Sequence, residues 1–401
     1  MKRNAMVRPA SLFFQSPLVT IVAMILLAAR LRPASCFKTI PIQRGSALVT
    51  RLNGVPKLHI QDSRYVVPAR TLASTRLHNT ANGNYGRDEL WYPPSLMDHM
   101  LYRIEKVNDV PYNIKQSLIN FTINGRILGK VTPKVAEKLT STSPFFELST
   151  GTNQPTLTLS NGAGSTVEQR TRSVASVMEK LRDSGYISGW RDELYPVAES
   201  FGSPPVFLVE RAAASLLGVL EYGVHINGLV KDSENETRMW MARRSKTKSK
   251  FPGYLDHIVA GGQPAGLSLM ENVVKECMEE AGIPSDVTKQ GIRPAGAISY
   301  EDYCGPLKDQ GEGVMSRVVL FCFDLELPTD FVPTANDGEV ESFFTWGLED
   351  IGRSMDPEYD DPIKPNCYIV IIDYLLRSGA ISPDSPKYLE ILRKLRSGTC
   401  S

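Results

Sequence analysis

Apolar residues recur along the chain with two periods, one typical of helices and one typical of strands. The helical period is clear in residues 97–107 and 167–182. In the second segment the apolar stripe comprises Val174, Val177, Met178 and Leu181. Between the two helices, Asn124-Gly125 separates two apolar runs and predicts a hairpin, because both residues tolerate the positive φ of its turn.

Caps and stops add further elements and indicate the fold class. Thr132-Pro133 predicts the N-cap and first position of a helix that runs through Leu139. The mostly apolar run 369–376, before Gly379, predicts a helix packed on a sheet. Strand-like segments are 237–242, 318–325 and 339–345. Helices that alternate with strands predict an α/β fold, an α/β/α sandwich with a mixed sheet, preceded by a smaller α+β domain.

Length, charge and cysteine content narrow the classes of protein. The 401 residues predict two domains with additional segments. The formal net charge of +1 argues against a nucleic-acid partner, which requires a basic surface. The six cysteines show neither a CxxC pair nor zinc-site spacing. Cys277 and Cys322 lie in apolar runs, and we expect both to be buried thiols.

Residues 1–36 have the pattern of a signal peptide. A basic start precedes an apolar run from Leu18 to Ala29, and Ala34-Ser35-Cys36 supplies small residues for cleavage. A transmembrane helix needs about 20 apolar residues, so we expect no stable membrane anchor after processing. A single-pass anchor is the alternative interpretation.

Residues 37–90 are predicted to be a transit peptide and disordered linker. The tetrapeptide Ala34-Ser35-Cys36-Phe37 resembles the cleavage motif of diatom-type plastid presequences, and residues 37–61 contain no acidic residue. Order is expected to begin near Trp91. These features predict import into the plastid of an alga with a secondary plastid, with the secretory pathway as the alternative.

The strongest chemical signal lies in residues 261–283, where a glycine-rich loop precedes a capped helix. The loop contains Gly261, Gly262 and Gly266, Ser268 is the expected N-cap, and Gly282 is the expected stop. Glu276, Glu279 and Glu280 share one face of this helix, and we expect no Lys or Arg on that face within a turn. The opposite stripe is Val274, Cys277, Met278 and Ala281, which is predicted to pack on a core.

Three neighbouring carboxylates repel each other, and a hard divalent cation bound through oxygen relieves that repulsion. The helix therefore predicts a site for Mg²⁺ (or Mn²⁺). The alternative is an ordinary helix with a solvated acidic face.

This segment resembles the Nudix box. The matching positions are Gly261, Lys275, Glu276, Glu279, Glu280 and Gly282. Two positions depart from the family pattern, since Leu267 replaces a Glu and Lys275 replaces an Arg. The ligand carboxylates remain, so the resemblance still implies a metal-binding helix that cleaves phosphate bonds.

The resemblance extends to the thiamine-linked Nudix subfamily, which includes plant chloroplast Nudix hydrolases and the N-terminal half of fungal thiamine pyrophosphokinase. It implies a subfamily-specific α+β domain in residues 91–224 and a Nudix domain in residues 225–401. The matching segments are Gly189–Tyr195, Glu210–Ala213, Tyr222–Gly228, Met239–Ser245, Pro252–Asp256, Asp337–Glu341 and Lys364–Cys367.

What the resemblance implies is hydrolysis of a small-molecule diphosphate, namely thiamine diphosphate or its oxidised or damaged analogues, to the monophosphate and phosphate. The alternatives are a phosphatase of oxidised nucleoside diphosphates such as 8-oxo-dGDP, and a non-catalytic diphosphate-binding protein. The general base is one of the helix carboxylates, or Glu339 or Glu341 on a facing loop. The oligomeric state stays open.

Basic and aromatic residues supply candidate substrate contacts. Arg243 and Arg244 follow a strand directly, and we expect one of them to bind the diphosphate while the other is structural. Trp240 and Trp190 are candidates for stacking on the substrate ring, or else core residues. We expect a solvated basic loop at Lys246, Lys248 and Lys250. We expect His225 and His257 to be packed histidines without a catalytic role.

A fluorescent protein fused behind residues 1–90 should enter the plastid of a diatom-type cell, because this segment combines signal-peptide and transit-peptide patterns. Fluorescence microscopy reports the destination. A fusion behind residues 37–90 is the matched control and should stay outside the plastid. Export of the longer fusion to the medium supports plain secretion instead.

Overall fold

A computed structural model describes residues 95–151, 154–248, 250–304, 313–336 and 338–398. The predicted targeting segments and the expected start of order near Trp91 lie outside these ranges. All described residues belong to one unit of the chain, Ala73–Ser401. Within the described ranges, no helix combines the length and the apolar character that a membrane span requires.

The first half of the described chain is built on a four-stranded sheet with the order β2-β1-β4-β3. Its strands are β1 (Ile119–Ile123), β2 (Arg126–Val131), β3 (Phe146–Ser149) and β4 (Thr156–Leu159). Asn124 and Gly125 take φ values of 51° and 78° in the turn between β1 and β2. The predicted hairpin is therefore confirmed.

The helices of this half follow the predicted periods closely. They are α1 (Leu96–Lys106), α2 (Tyr112–Ser117), α3 (Pro133–Thr142), α4 (Val167–Asp183) and α5 (Arg211–Ala214). The Thr132 hydroxyl accepts the Val135 N–H and caps α3, which runs beyond the predicted end at Leu139. All four predicted apolar residues of α4 are buried, so its stripe is confirmed.

A short antiparallel hairpin connects the two halves. It consists of β5 (Leu194–Val197) and β6 (Phe207–Glu210), and β6 leads through α5 into the second sheet. The Leu194 carbonyl accepts the Ala265 N–H at 2.8 Å, which ties this hairpin to the glycine-rich loop. The connection brings residues of the first half to the loop that precedes the acidic helix.

The second sheet has seven strands in the order β11-β12-β7-β8-β13, with β10 paired to β7 and β9 paired to β8. Its strands are β7 (Leu220–Lys231), β8 (Thr237–Arg244), β9 (Leu255–His257), β10 (Val259–Gly262), β11 (Ile292–Cys304), β12 (Val314–Glu326) and β13 (Val340–Gly347). Strand β12 runs parallel to β7, and the other pairs are antiparallel. The predicted mixed sheet is confirmed.

Helices cover both faces of this sheet, as the predicted sandwich requires. The helices of this half are α6 (Leu269–Ala281), α7 (Ser285–Gly291), α8 (Leu348–Ser354), α9 (Pro365–Arg377) and α10 (Tyr388–Lys394). One face packs on α6, while the other shares a core with α8, α9, α10 and α1. The architecture is therefore an α/β/α sandwich preceded by a smaller α+β region.

Helix α9 begins earlier than its apolar run indicates, because Pro365 occupies its first turn. Asp373 lies inside this helix and is buried. Its two carboxylate oxygens accept bonds from Arg377 at 2.8 Å and from Arg396 at 2.7 Å. These bonds offset the cost of burying a charge in an otherwise apolar helix.

His225 on β7 and His257 on β9 contact each other inside the second region. Their Nδ1 atoms are 3.1 Å apart and the rings are nearly perpendicular, at 86°. Burial lowers the pKa of His225 well below its usual value and the pKa of His257 to about 4. Both rings are therefore neutral at pH 7, as expected for packed histidines.

The free energy of unfolding should fall as the pH drops from 7 to 5, because only the unfolded chain binds protons at these histidines. Each lowered pKa contributes stability that is present above the unfolded value of about 6.5 and is lost as the pH falls towards the folded value. For one site the loss between pH 7 and pH 5 is roughly 2 kcal/mol. Urea unfolding at each pH measures it.

The variant His257→Asn should show a smaller pH dependence of unfolding than the wild type. His99→Asn, on the half-buried side of α1, is the control and should keep the wild-type dependence. If His257→Asn and the wild type lose stability equally between pH 7 and pH 5, the buried histidine pair does not control this dependence.

Candidate active site

Strand β10 carries two adjacent glycines between two layers of the protein. A Cβ on Gly261 would overlap the Glu276 carboxylate, and a Cβ on Gly262 would overlap the Tyr195 hydroxyl. The Arg211 guanidinium carbon lies 3.3 Å from the same Gly262 position. A side chain at either position would displace these groups, so the two glycines allow them to lie directly against the backbone.

Helix α6 begins and ends as the sequence predicts. The Ser268 hydroxyl accepts the Glu271 N–H at 3.3 Å, and the Glu271 carboxylate accepts the Ser268 N–H at 2.8 Å. Gly266 in the preceding loop takes a φ of 88°, and Gly282 ends the helix with a φ of 64°. The caps fix which residues of the helix face β10.

The three predicted ligand carboxylates occupy different environments on α6. Glu276 is 9% exposed, whereas the Glu279 side chain is 52% exposed. Glu280 accepts the Ala260 N–H at 3.0 Å. Burial raises the pKa of Glu276, and it raises the pKa of Glu280 well above its usual value despite this bond. Two of the three carboxylates are therefore unfavourable as bare anions.

The expectation that no cation shares this face is wrong. Lys275 lies between two of the carboxylates, with its Nζ 3.1 Å from Glu276 Oε1 and 2.7 Å from Glu279 Oε2. Lys275 and Glu279 are four residues apart and lie on the same side of the helix, and the flexible lysine side chain also reaches Glu276. Lys275 thus neutralises part of the repulsion that the spacing of the carboxylates creates.

The predicted apolar stripe of α6 is also wrong in two positions. Cys277 and Ala281 are buried as expected, but Met278 is 45% exposed and Val274 is only half-buried. Val273 takes the buried position instead, beside Asn272, whose amide donates to the Gly262 carbonyl at 2.8 Å. The buried face is rotated towards the carboxylates because α6 packs its polar side on β10.

A divalent cation fits this donor set. Glu276 and Glu280 are carboxylates whose charge burial disfavours, and oxygen donors of this kind suit Mg²⁺ or Mn²⁺. Glu279 adds an exposed carboxylate one helical turn from Glu276. Among the described residues, these three would hold such a cation at the surface of α6.

The candidate bases Glu339 and Glu341 lie at the start of β13. Val340 pairs with Arg244 and Ser342 pairs with Arg243, so Glu341 is the extra residue of a β-bulge and is exposed. Glu339 lies 2.5 Å from Lys248 Nζ. Bulges redirect side chains at the edges of sheets, so Glu341 departs from the regular alternation of β13.

Arg243 and Arg244 end β8 and bind different partners. Arg243 forms a two-pronged ion pair with Asp361, with distances of 2.9 and 2.6 Å. Arg244 donates to Asp256 at 2.7 Å and to two backbone carbonyls of the following loop. The strand continues through both arginines, so their side chains leave it on opposite faces.

The two tryptophans also differ in position. Trp240 on β8 packs with the core beneath α6, and its buried Nε1 has no hydrogen-bond partner among the described residues. Trp190 donates from Nε1 to Asp192 at 2.9 Å, and the Arg182 guanidinium lies 4.6 Å from its ring centroid. Of the two, Trp190 lines the cavity described next.

A cavity of about 430 Å³ lies where the two regions of the chain meet. Its lining residues are Gly189, Trp190, Arg191, Thr247, Lys248, Gly338 and Glu339. Of the lining residues, Glu339 lies within electrostatic range of Glu280 on the acidic helix and contributes to its raised pKa. The amino-acid sequence of the first half did not indicate that residues 189–191 would form one wall of this cavity.

Sequence reasoning missed Glu193, Tyr195 and Arg211 as neighbours of the loop. Arg211 pairs with Glu193 at 2.8 Å and lies over Tyr195, beside Gly262. The sequence indicated these residues only through their position in Gly189–Tyr195 and Glu210–Ala213, two of the segments that carry the family resemblance.

Two family models match adjacent parts of the chain. A "Domain of unknown function (DUF4743)" matches residues 99–221, and a "NUDIX domain" matches residues 221–367. These matches name the two regions that the sheets define.

Curated relatives match most of the chain. "Nudix hydrolase 24, chloroplastic" of Arabidopsis thaliana is 40% identical over 315 residues, which cover 77% of this chain and 82% of the relative. "Nudix hydrolase 20, chloroplastic" of the same plant is 42% identical over 291 residues, covering 71% and 74%. A solved structure, DR0079 from Deinococcus radiodurans, is 21% identical with a TM-score of 0.28 and covers 38% of this chain and 83% of that one.

A glycine-rich strand, a capped acidic helix and extensive identity to these relatives agree with one another. The chain therefore belongs to the Nudix hydrolase family, and it is a hydrolase of phosphoanhydride bonds.

Proposed function

We propose that this protein hydrolyses the diphosphate of thiamine diphosphate, or of its oxidised or damaged analogues, to the monophosphate and phosphate. The observation that carries the reaction type is the carboxylate set of α6, in which buried Glu276 and half-buried Glu280 stand beside exposed Glu279. Nudix hydrolases generally use divalent metals, and we assign Mg²⁺ or Mn²⁺ to these three residues.

When bound, the cation neutralises phosphate charge and lowers the pKa of the attacking water. The Ala260 N–H orients Glu280, and the glycine at 261 lets Glu276 lie directly against the strand. Water attacks phosphorus, the anhydride P–O bond breaks, and a carboxylate takes the proton. We assign this proton to Glu341, because its side chain is exposed on the β13 bulge.

Two observations support a thiamine-type substrate. The segments Gly189–Tyr195 and Asp337–Glu341, which carry the resemblance to the thiamine-linked subfamily, both contribute to the cavity walls. Trp190 lines that cavity, and an indole face attracts a cationic ring. Oxidised nucleoside diphosphates remain the competing substrates, since the acidic helix acts on either class.

Both Arabidopsis relatives are named chloroplastic, which supports a plastid location for this chain. We propose that a signal peptide and a transit peptide deliver it to a secondary plastid. A small-molecule diphosphate is its partner there, without nucleic acid.

The purified protein should release phosphate from thiamine diphosphate or oxothiamine diphosphate faster than from 8-oxo-dGDP, with Mg²⁺ or Mn²⁺ present. Glu280→Gln and Glu279→Gln should each lower kcat by about a hundredfold or more, because each removes a charged oxygen ligand. Glu271→Gln, a cap residue of the same helix, is the control and should retain most activity.

Thermal melting should show all three variants folded. Preference for 8-oxo-dGDP would overturn the substrate assignment, whereas wild-type turnover by both Glu279→Gln and Glu280→Gln would overturn the role of the acidic helix.

Arg243→Ala and Arg244→Ala should have unequal effects on catalysis. Arg244 influences Glu339 and binds Asp256, which in turn influences Glu280, so it belongs to the catalytic carboxylate field. Arg243 instead forms a two-pronged ion pair with Asp361, outside the Asp256 and Glu339 contacts that Arg244 makes. We expect a loss of kcat/KM on the order of tenfold or more for Arg244→Ala only, the size of a lost charge-assisted contact.

Steady-state kinetics and melting temperatures measured together separate the two roles. Arg243→Ala should mainly lower the melting temperature. Equal losses of kcat/KM in the two variants would show that neither arginine is selective for the substrate.

A further inference from the structure

One wall of the cavity comes from the first region of the chain, outside the Nudix domain itself. Residues 189–191 form that wall, and Lys248 and Glu339 face it from the loops that follow β8 and precede β13. Ligand sites often lie at the boundary between two regions of a protein. The chemistry of the site follows from the charged groups in it.

Glu339 is the acidic residue among those that line this cavity. Lys248 Nζ is 2.5 Å away, and the Glu339 side chain remains 41% exposed. Burial raises the pKa of Glu339, but Lys248, Arg191 and Arg244 together lower it below its usual value. Three cations thus act on one carboxylate, and Arg244 is already bound to Asp256.

Arg191 lines the cavity but is not committed to a carboxylate there. Its backbone N–H donates to Glu210 at 2.9 Å, which fixes the position of the residue. Among the described residues, its guanidinium has no ion-pair partner, although the side chain is exposed to the cavity. Arg191 and Lys248 therefore offer more positive charge than Glu339 neutralises.

We propose that Arg191 and Lys248 form a phosphate subsite, and that the Glu339 carboxylate occupies it until a substrate phosphate displaces it. The planar guanidinium supplies paired N–H donors and the ammonium supplies a point charge, a combination that suits a phosphate group. The inference rests on the proposed hydrolase function and adds to it. The phosphate remote from the organic group binds here, so the DUF4743 region takes part in substrate binding.

The subsite lies within electrostatic range of the acidic helix. Glu339 interacts with Glu280, and Glu193, close to Arg191 in the chain, interacts with Glu276. In this proposal one phosphate of the diphosphate lies at the helix carboxylates and the other at Arg191.

Binding of inorganic pyrophosphate to the full chain tests the subsite. Isothermal titration calorimetry is performed with EDTA at fixed ionic strength, so that the helix carboxylates hold no cation. Arg191→Ala and Lys248→Ala should each raise the Kd about tenfold or more, as expected for a lost charged hydrogen bond. Arg191→Lys should recover part of the affinity.

Two further variants separate this subsite from a general charge effect. Arg182→Ala removes an equal charge from the neighbourhood of Trp190 without touching the cavity, and it should leave the Kd unchanged. Glu339→Gln should lower the Kd, because the internal competitor for the cations is gone. Weaker binding by Glu339→Gln, or unchanged binding by Arg191→Ala, overturns the proposal.

Steady-state kinetics distinguish failure of the subsite from failure of the proposed function. Hydrolysis of thiamine diphosphate with an unchanged KM in folded Arg191→Ala and Arg191→Lys rejects the subsite and keeps the function. Pyrophosphate binding that depends on Arg191, in a protein that releases no phosphate from any diphosphate, keeps the subsite and rejects the hydrolysis.

Discussion

The close packing on both sides of the Gly261-Gly262 backbone is the constraint on which the site depends. The Glu276 carboxylate rests against one glycine, and the Tyr195 hydroxyl and Arg211 guanidinium rest against the next. Successive residues of a strand face opposite sides, so two adjacent glycines give close approach on both. One short strand thereby positions the acidic helix and the hairpin of the first region together.

This packing explains why the carboxylates of α6 differ although their spacing is regular. Glu276 and Glu280 face β10 and lose solvent, whereas Glu279 faces away and keeps it. Burial without a full set of partners disfavours a charge, and Lys275 supplies only part of the compensation. The side chains of the helix itself thus compensate the carboxylate charge only in part.

The same contact brings the first region of the chain to the candidate active site. Its β5–β6 hairpin bonds to the glycine-rich loop through Leu194 and Ala265, and residues 189–191 reach the cavity. Helix α1, from the start of the described chain, packs with α9 and α10 on the far face of the second sheet. The first region therefore contacts the Nudix region from two sides. The domain limits at 91–224 and 225–401 stay a prediction.

The sequence by itself determined the elements and the reaction type, since both depend on local spacing. The stripe of α4, the caps at Ser268 and Gly282, and the glutamates of α6 are readable within a few residues. Only the tertiary structure decided that Met278 is exposed, that Lys275 bridges two carboxylates, and that Arg191 reaches the cavity. Those outcomes depend on which face of α6 meets β10 and on contacts between distant segments, and local periodicity carries no information about either.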